Sequence, residues 1–279
     1  MHSRSPAEHH LREYLIEGAL LGLFMISACA FTVLLEHPAS PLHRALPDAF
    51  MRRLLIGLAM GGTAVALIYS PWGKQSGAHM NPAITLTFTR LGKVAPHDAA
   101  AYVAAQFAGG LSGVLLARLA LRTLLAHPSV GYAATLPGHW GVTAAFVAEA
   151  AISCLLVLIV LTVSNHPRWA GYTGLCAGLL VATYITLEAP LSGMSMNPAR
   201  TFASAFFGRN WTAIWLYFVA PPLGMLVGAE LYLWRRGRQA VACAKLHHQN
   251  SKRCIFCEYQ ASRATASLPQ GTNPSSSTL

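Results

Sequence analysis

The chain of 279 residues is 54% hydrophobic and 11% charged, far below the roughly 25% charge of an ordinary soluble domain. Its formal net charge of +10 would suit a polyanionic partner if it were spread over a folded surface. Instead seven Lys and Arg from Arg235 onward stand against the single acid Glu258, so a soluble fold and a nucleic-acid partner are both disfavoured and a membrane-embedded chain is implied.

A membrane-crossing helix needs about 20 mainly apolar residues, and six segments meet that requirement. A short N-terminal tail, residues 1–11, carries His9 and His10, read as solvated. The first span, 14–34, holds Glu17, Cys29 and a Gly18-x-x-x-Gly22 pair. It is long enough to cross and lacks a small-residue cleavage site, so no removable signal peptide is expected. The second span covers 53–70 and is followed by SGAHMNPAITLTF, Ser76 to Phe88. The third, 98–124, contains Ala105-Gln106-x-x-Gly109, and the fourth, 142–163, contains Glu149 and Cys154. The fifth, 171–187, contains Cys176 and leads into SGMSMNPARTFASAF, Ser192 to Phe206. The sixth, 211–234, contains Ala220-Pro221-x-x-Gly224. Glycines four apart in spans one, three, five and six are expected to let helices pack closely within the bundle. No cysteine falls in a far-side loop, so structural disulfides are not expected.

The basic tail directly after the last span places the C-terminus in the cytoplasm by the positive-inside rule, and six spans return the N-terminus to that side. Arg90, Lys93 and Arg168 fall inside on this reading, while Arg44, Arg52 and Arg53 run against it. The expected layout is a tail over 1–11, a channel domain over 12–236 with repeat halves of about 12–127 and 139–236, and a basic Cys/His tail over 237–279.

Internal duplication is the strongest organisational signal. Asn81 and Asn197 are 116 residues apart, Gln106 and Pro221 are 115 apart, and Glu17 and Glu149 are 132 apart. Three spans per half make the halves insert with opposite orientation, and matched short interrupted segments in an inverted repeat mark a pathway at the repeat interface. The apolar stretches 83–89 and 199–207 are only long enough for half a bilayer, about 10–14 Å at 1.5 Å per residue. Two half-helices entering from opposite faces therefore meet near the midplane.

The Asn-Pro-Ala triplets suit that meeting point. Pro82 and Pro198 fit a first helical turn, where a missing N–H is harmless, and Asn81 and Asn197 are good N-caps. If backbone groups hold each amide carbonyl, the NH₂ donors are left for the pore. The preceding Gly77, Ala78, His79 and Gly193, Met194, Ser195 form extended backbone at membrane depth, tolerated only where it lines a cavity or is buried in protein. Their carbonyls offer a ladder of acceptors. Two positive helix ends at one point oppose any cation there, hydronium included.

On SGAHMNPA, SGMSMNPAR, Glu17, Glu149, AQxxG and APxxG, residues 12–235 resemble the major intrinsic protein family, the aquaporins and glycerol facilitators. The resemblance implies an all-α right-handed bundle of six spans with two re-entrant half-helices, one pore per protomer in a homotetramer, no catalysis and no cofactor. It makes Asn81, Pro82, Ala83, Asn197, Pro198 and Ala199 the paired pore motifs, Glu17 and Glu149 the braces of the re-entrant loops, and Arg200 the arginine of the selectivity constriction. The other constriction positions fall at Met194, Ile185 and Met60, with Gly61 as the alternative in span two. Water-selective members have an aromatic and a His there, and glycerol facilitators a small residue and aromatics. A Met/Ile/Met/Arg ring matches neither, and leaves water, glycerol, urea or a neutral metalloid acid as expected solutes. Met60 facing the pore and Met60 packing on a neighbouring helix both stay open.

The tail lies outside the resemblance. Cys243, His247, His248, Cys254 and Cys257 offer zinc-ligand chemistry, but their spacing fits no standard finger, and a basic solvated tail needs no fold. The final Leu268–Leu279 stretch, rich in Ser and Pro, is expected to be disordered. Two other classes compete with a passive channel. A coupled transporter would need a titratable pair in the pathway, and a junction protein would need a larger external framework.

Overall fold

The computed structural model describes residues 6–266. Among the described residues six helical segments are long and apolar enough to cross a membrane: His10–Glu36, Ala49–Tyr69, Pro96–Leu121, Gly141–Ser164, Ala170–Leu187 and Ile214–Arg236, spans 1 to 6. Between spans 2 and 3 lies a first half-helix, Pro82–Arg90, and between spans 5 and 6 a second, Pro198–Gly208. Their 9 and 11 residues make about 14–17 Å of helix, and each starts with Pro directly after its Asn. The predicted spans agree with these helices to within a few residues at each end.

Local chemistry sets several ends. Asp48 caps span 2 by accepting from Met51 N at 2.7 Å, and Pro96 opens span 3 where its missing N–H is harmless. Span 6 tolerates Pro221 and Pro222 in its interior, as membrane helices do when neighbours satisfy the freed groups.

Spans 1 and 3 form one tight pair and spans 4 and 6 its repeat counterpart, while spans 2 and 5 meet across the join of the halves. A side chain on Gly109 would place its Cβ 1.9 Å from the Gly18 carbonyl oxygen, and the 4–6 pair is equally close where Gly224 meets the Ala150 carbonyl. With no hydrophobic drive between helices in lipid, such backbone contact supplies the packing attraction. The glycine pairs thus act inside the bundle. Large apolar side chains such as Leu58, Leu119, Leu179 and Val227 face outward. All six tryptophans are exposed at or just beyond span ends, Trp72, Trp169 and Trp234 on the tail side and Trp140, Trp211 and Trp215 on the far side, the two rims of an interfacial aromatic belt.

Two sequence expectations are corrected. His10 is not solvated: its ring sits 2.8 Å from Asp98 Oδ1, which also accepts from Tyr14. The tail, expected to be solvated and to need no fold, is largely folded and partly buried. After Gly237 it turns back under the bundle and buries Val241, Cys243, Ala244, Leu246, Ile255 and Phe256 in one apolar cluster with Ile68, Ala78 and Leu156, before a tail helix at Ile255–Ala266. Basic residues mask this in the sequence, because the buried apolar residues are interspersed with Lys245, Lys252 and Arg253. The side chain of His9 and the 268–279 stretch lie outside the described residues.

Gly109→Ala should force spans 1 and 3 apart and cost about 1–3 kcal/mol, read as a lowered melting temperature in detergent. Gly62→Ala, with open space around its Cβ, is the control that should melt like the parent, and equal melting of both would refute the tight contact.

Candidate functional site

A cavity of about 360 Å³ runs through the bundle between the two half-helices. At the far mouth it is lined by Glu36, Arg53 and Ser129, in the middle by Asn81 and Asn197, and at the tail-side mouth by Leu246.

The two half-helix starts are tied to each other. Asn81 Nδ2 donates to the Met196 carbonyl at 2.7 Å, and Asn197 Nδ2 donates to the Met80 carbonyl at 2.7 Å. Each Asn carbonyl is held by its own helix: Ala83 N donates to Asn81 Oδ1, and Ala199 N and Arg200 N donate to Asn197 Oδ1. An amide has two N–H groups, so one hydrogen of each Asn locks the halves together and the second is left for the lumen.

Loop geometry follows the same two-fold plan. Ala78 and Met80 in one loop, and Met194 and Met196 in the other, take left-handed φ of 49–56°, uncommon for non-glycine residues and sustained only by surrounding contacts. Those contacts are buried carboxylates. Glu149 accepts from Ser195 N at 2.6 Å, Met196 N at 2.7 Å and Ser192 Oγ at 2.7 Å. Glu17 accepts from Met80 N and from Gln106 Nε2. Tyr102 donates to the Ser76 carbonyl and Tyr217 to the Ser192 carbonyl. This last pair is one that the sequence reading missed, although its spacing of 115 residues repeats the displacement already noticed.

Of the residues expected to present carbonyls, Ala78, His79, Gly193 and Ser195 line the cavity. Gly77 is the exception, because its carbonyl accepts from Leu246 N at 3.1 Å. Met60, Ile185, Met194 and Arg200 all line the cavity. Met60 does so while packing against Ala28 and Ala133, so its two readings are compatible. Gly61 instead faces the Gly178 carbonyl of span 5, 2.4 Å from where a Cβ would stand. Arg200 Nη1 is buried with no protein acceptor among the described residues, and Arg53 Nε is in the same condition. Arg53, noted in the sequence only as running against the positive-inside rule, thus joins Arg200 on the cavity wall.

At the tail-side mouth His79 is sandwiched between Phe88 and Phe256, with ring centroids 5.3 and 5.4 Å away, and its Nε2 lies 2.8 Å from the Ala244 carbonyl. Lys245 is buried and donates to the carbonyls of Lys74 at 2.8 Å and Arg253 at 2.6 Å. Burial pulls its ammonium below the ordinary lysine value, and neighbouring thiols oppose the shift. Among the tail's candidate ligands the structure brings together Cys243, His248, Cys254 and Cys257. His247 is not among them; its ring packs edge-on against Tyr69 at 5.0 Å.

The family model described as Major intrinsic protein matches residues 6–232. The chain belongs to the major intrinsic protein family. Within that family it is 36% identical over 180 residues to Aquaporin NIP6-1 of Arabidopsis thaliana, covering 64% of this chain and 57% of that protein. It is 33% identical over 186 residues to Aquaporin NIP2-3 of Zea mays, covering 66% and 60%. The chain spans about three-fifths of the length of these relatives. The X-ray structure of the aquaglyceroporin from Plasmodium falciparum superposes with a TM-score of 0.66 at 20% identity, covering 80% of this chain and 95% of that one. That likeness establishes the fold.

Glu149→Ala should strand the Ser195 and Met196 amides, each at about 1–3 kcal/mol, and lower the melting temperature sharply. Glu149→Gln keeps an acceptor and should fall between. A Glu149→Ala protein that melts like the parent would remove the bracing role.

Proposed function

We propose that the protein is a passive membrane channel for water and small uncharged solutes that excludes protons and ions, working as a homotetramer with both termini in the cytoplasm. The observation that carries this reading is the pair of asparagines facing each other at the starts of two opposed half-helices on the wall of one continuous cavity.

Each half-helix brings its positive end to the midpoint, so a cation meets a barrier there while a neutral solute does not. A water or hydroxyl at that point accepts from the spare hydrogens of Asn81 and Asn197. Its own hydrogens then turn away along the carbonyls of Ala78, His79, Gly193 and Ser195. The oppositely oriented waters on the two sides cannot relay a proton through the centre. Arg53 and Arg200 add fixed positive charge on the far side, and Arg200 presents donors to a passing hydroxyl or amide. Met60, Ile185 and Met194 make the rest of that ring apolar. Methionine is flexible and yields to solutes larger than water, which favours glycerol, urea or a neutral metalloid acid beside water. The relatives' printed names, aquaporins and an aquaglyceroporin, support this range. The basic residues after span 6 support the cytoplasmic tail.

The test is stopped-flow light scattering of proteoliposomes under sucrose, glycerol and urea gradients, beside empty liposomes, with a pH-sensitive dye inside. Solute flux without proton leak is expected, and flux no faster than in empty liposomes, from verified folded protein in every variant, would overturn the reading. Arg200→Ala should speed glycerol and urea entry relative to water; unchanged selectivity would remove Arg200 from the constriction.

A further inference from the structure

The tail beneath the pore contains a donor set that the transport pathway does not use. The sulfurs of Cys243 and Cys254 lie 3.4 Å apart, those of Cys243 and Cys257 3.7 Å, and His248 Nε2 lies 3.2 Å from Cys257 Sγ. All four donor atoms fall within 4.8 Å of one another. A tetrahedral zinc with Zn–S of about 2.3 Å and Zn–N of about 2.0–2.1 Å sets ligand-to-ligand edges of about 3.8 Å between sulfurs and about 3.6 Å between sulfur and nitrogen. A disulfide would need its sulfurs at about 2.05 Å. The four residues are thus spaced as ligands of one ion, in the Cys₃His set of closed structural zinc sites, and the Cys254-x-x-Cys257 pair opens the tail helix as two ligands of one short turn.

The short run between Cys243 and His248 is the part that enters the pore. Leu246 lines the tail-side end of the cavity, 3% exposed, and its N–H occupies the Gly77 carbonyl. Ala244 meets the His79 ring, Phe256 stacks on that ring, and Lys245 bridges the tail to Lys74. Outer ties run from Ala242 N to Asn165 Oδ1 at 2.7 Å and from Lys93 Nζ to Gln260 Oε1 at 2.8 Å. Apolar burial of Val241, Leu246, Ile255 and Phe256 seats this loop, and an ion bound by its thiolates and imidazole would add its binding free energy to that folding.

We propose that Cys243, His248, Cys254 and Cys257 form a zinc site that folds the tail into a plug, with Leu246 seated in the tail-side mouth of the pore. Loss of the ion releases the plug and opens the pore; this half of the proposal rests on the channel reading above, whereas the metal site does not.

The test uses the full chain. Purified without chelator, it should carry about one zinc per chain by elemental analysis, and Co(II) added after metal removal should give thiolate-to-cobalt absorption. Cys254→Ser/Cys257→Ser should lose both signals. A chain without zinc, a variant that keeps it, or a Cys243–Cys254 disulfide in the protein as isolated would overturn the site. For the gate, Leu246→Ala should keep its zinc, which also reports that the tail still folds. In proteoliposomes Leu246→Ala, the double variant and the chelator-stripped parent should each pass solute about tenfold faster than the zinc-loaded parent, the gain expected when a minor open state of roughly 10% becomes dominant. Equal, fast flux in all of them would overturn the gate and leave the channel intact. Flux at the level of empty liposomes in every one of them would overturn the channel reading and the gate together, while the zinc count would still decide the site.

Discussion

Two carboxylates at membrane depth hold the pore together. Hydrocarbon offers no water to an exposed backbone N–H, so irregular chain can persist there only if protein groups take up its donors. Glu17 and Glu149 do this for the two re-entrant loops. By accepting from amides just before each Asn they hold Met80 and Met196, and the Ser76 and Ser192 hydroxyls hold Ala78 and Met194, in a left-handed conformation that these residues would otherwise avoid. That conformation delivers each Asn to the start of its half-helix. Gln106 and the tyrosines Tyr102 and Tyr217 then complete the shell around the loops.

The inverted repeat supplies this scaffold twice, and the departures from it are where the two mouths differ. Three residues after each pore Asn, the second half has Arg200 on the pore wall and the first has Ile84 in the apolar core. Four residues before Met80 and Met196 the loops match as Ser76 and Ser192, yet His79 stands where the other loop has Ser195. Among the residues lining the cavity, the guanidinium groups of Arg53 and Arg200 therefore stand toward the far side, beside Glu36, and an aromatic stack on the tail side. A pore built from matched halves acquires its direction from a few unmatched side chains.

Much of this was legible in the sequence, because hydropathy, repeat displacement and the Asn-Pro pairs are local or strictly periodic signals. The spans and half-helices follow from them within a few residues. The span-two constriction position was not settled by counting, since one residue of slack separates Met60 from Gly61. Packing decides which of the two lines the cavity: Met60 does, while Gly61 must lie against the Gly178 carbonyl. Arg53, at the first residue of the predicted second span, was read only as a charge running against the positive-inside rule, while its side chain reaches the cavity. The tail was hardest to read. Its buried residues are few, its polar residues fold by meeting Gly77, Lys74 and Asn165 far away in the chain, and the choice of His248 over His247 depends on which ring turns toward Cys257.

The cross-bonds between the halves also bear on how the protein is made. The Met80 carbonyl finds its partner in Asn197, 117 residues further along. At a synthesis rate of roughly 5–20 residues per second, the first half waits on the order of ten seconds in the bilayer with that acceptor, and the amide of Asn81, lacking their native partners. Spans 1 and 3 can pair through their glycine contacts during this interval, but span 2 lacks the span 5 surface on which its Gly57 and Gly61 pack, and the pore wall cannot form. Its closure is a late event in biogenesis, and the tail, made after both halves, settles onto a surface that did not exist until the second half was inserted.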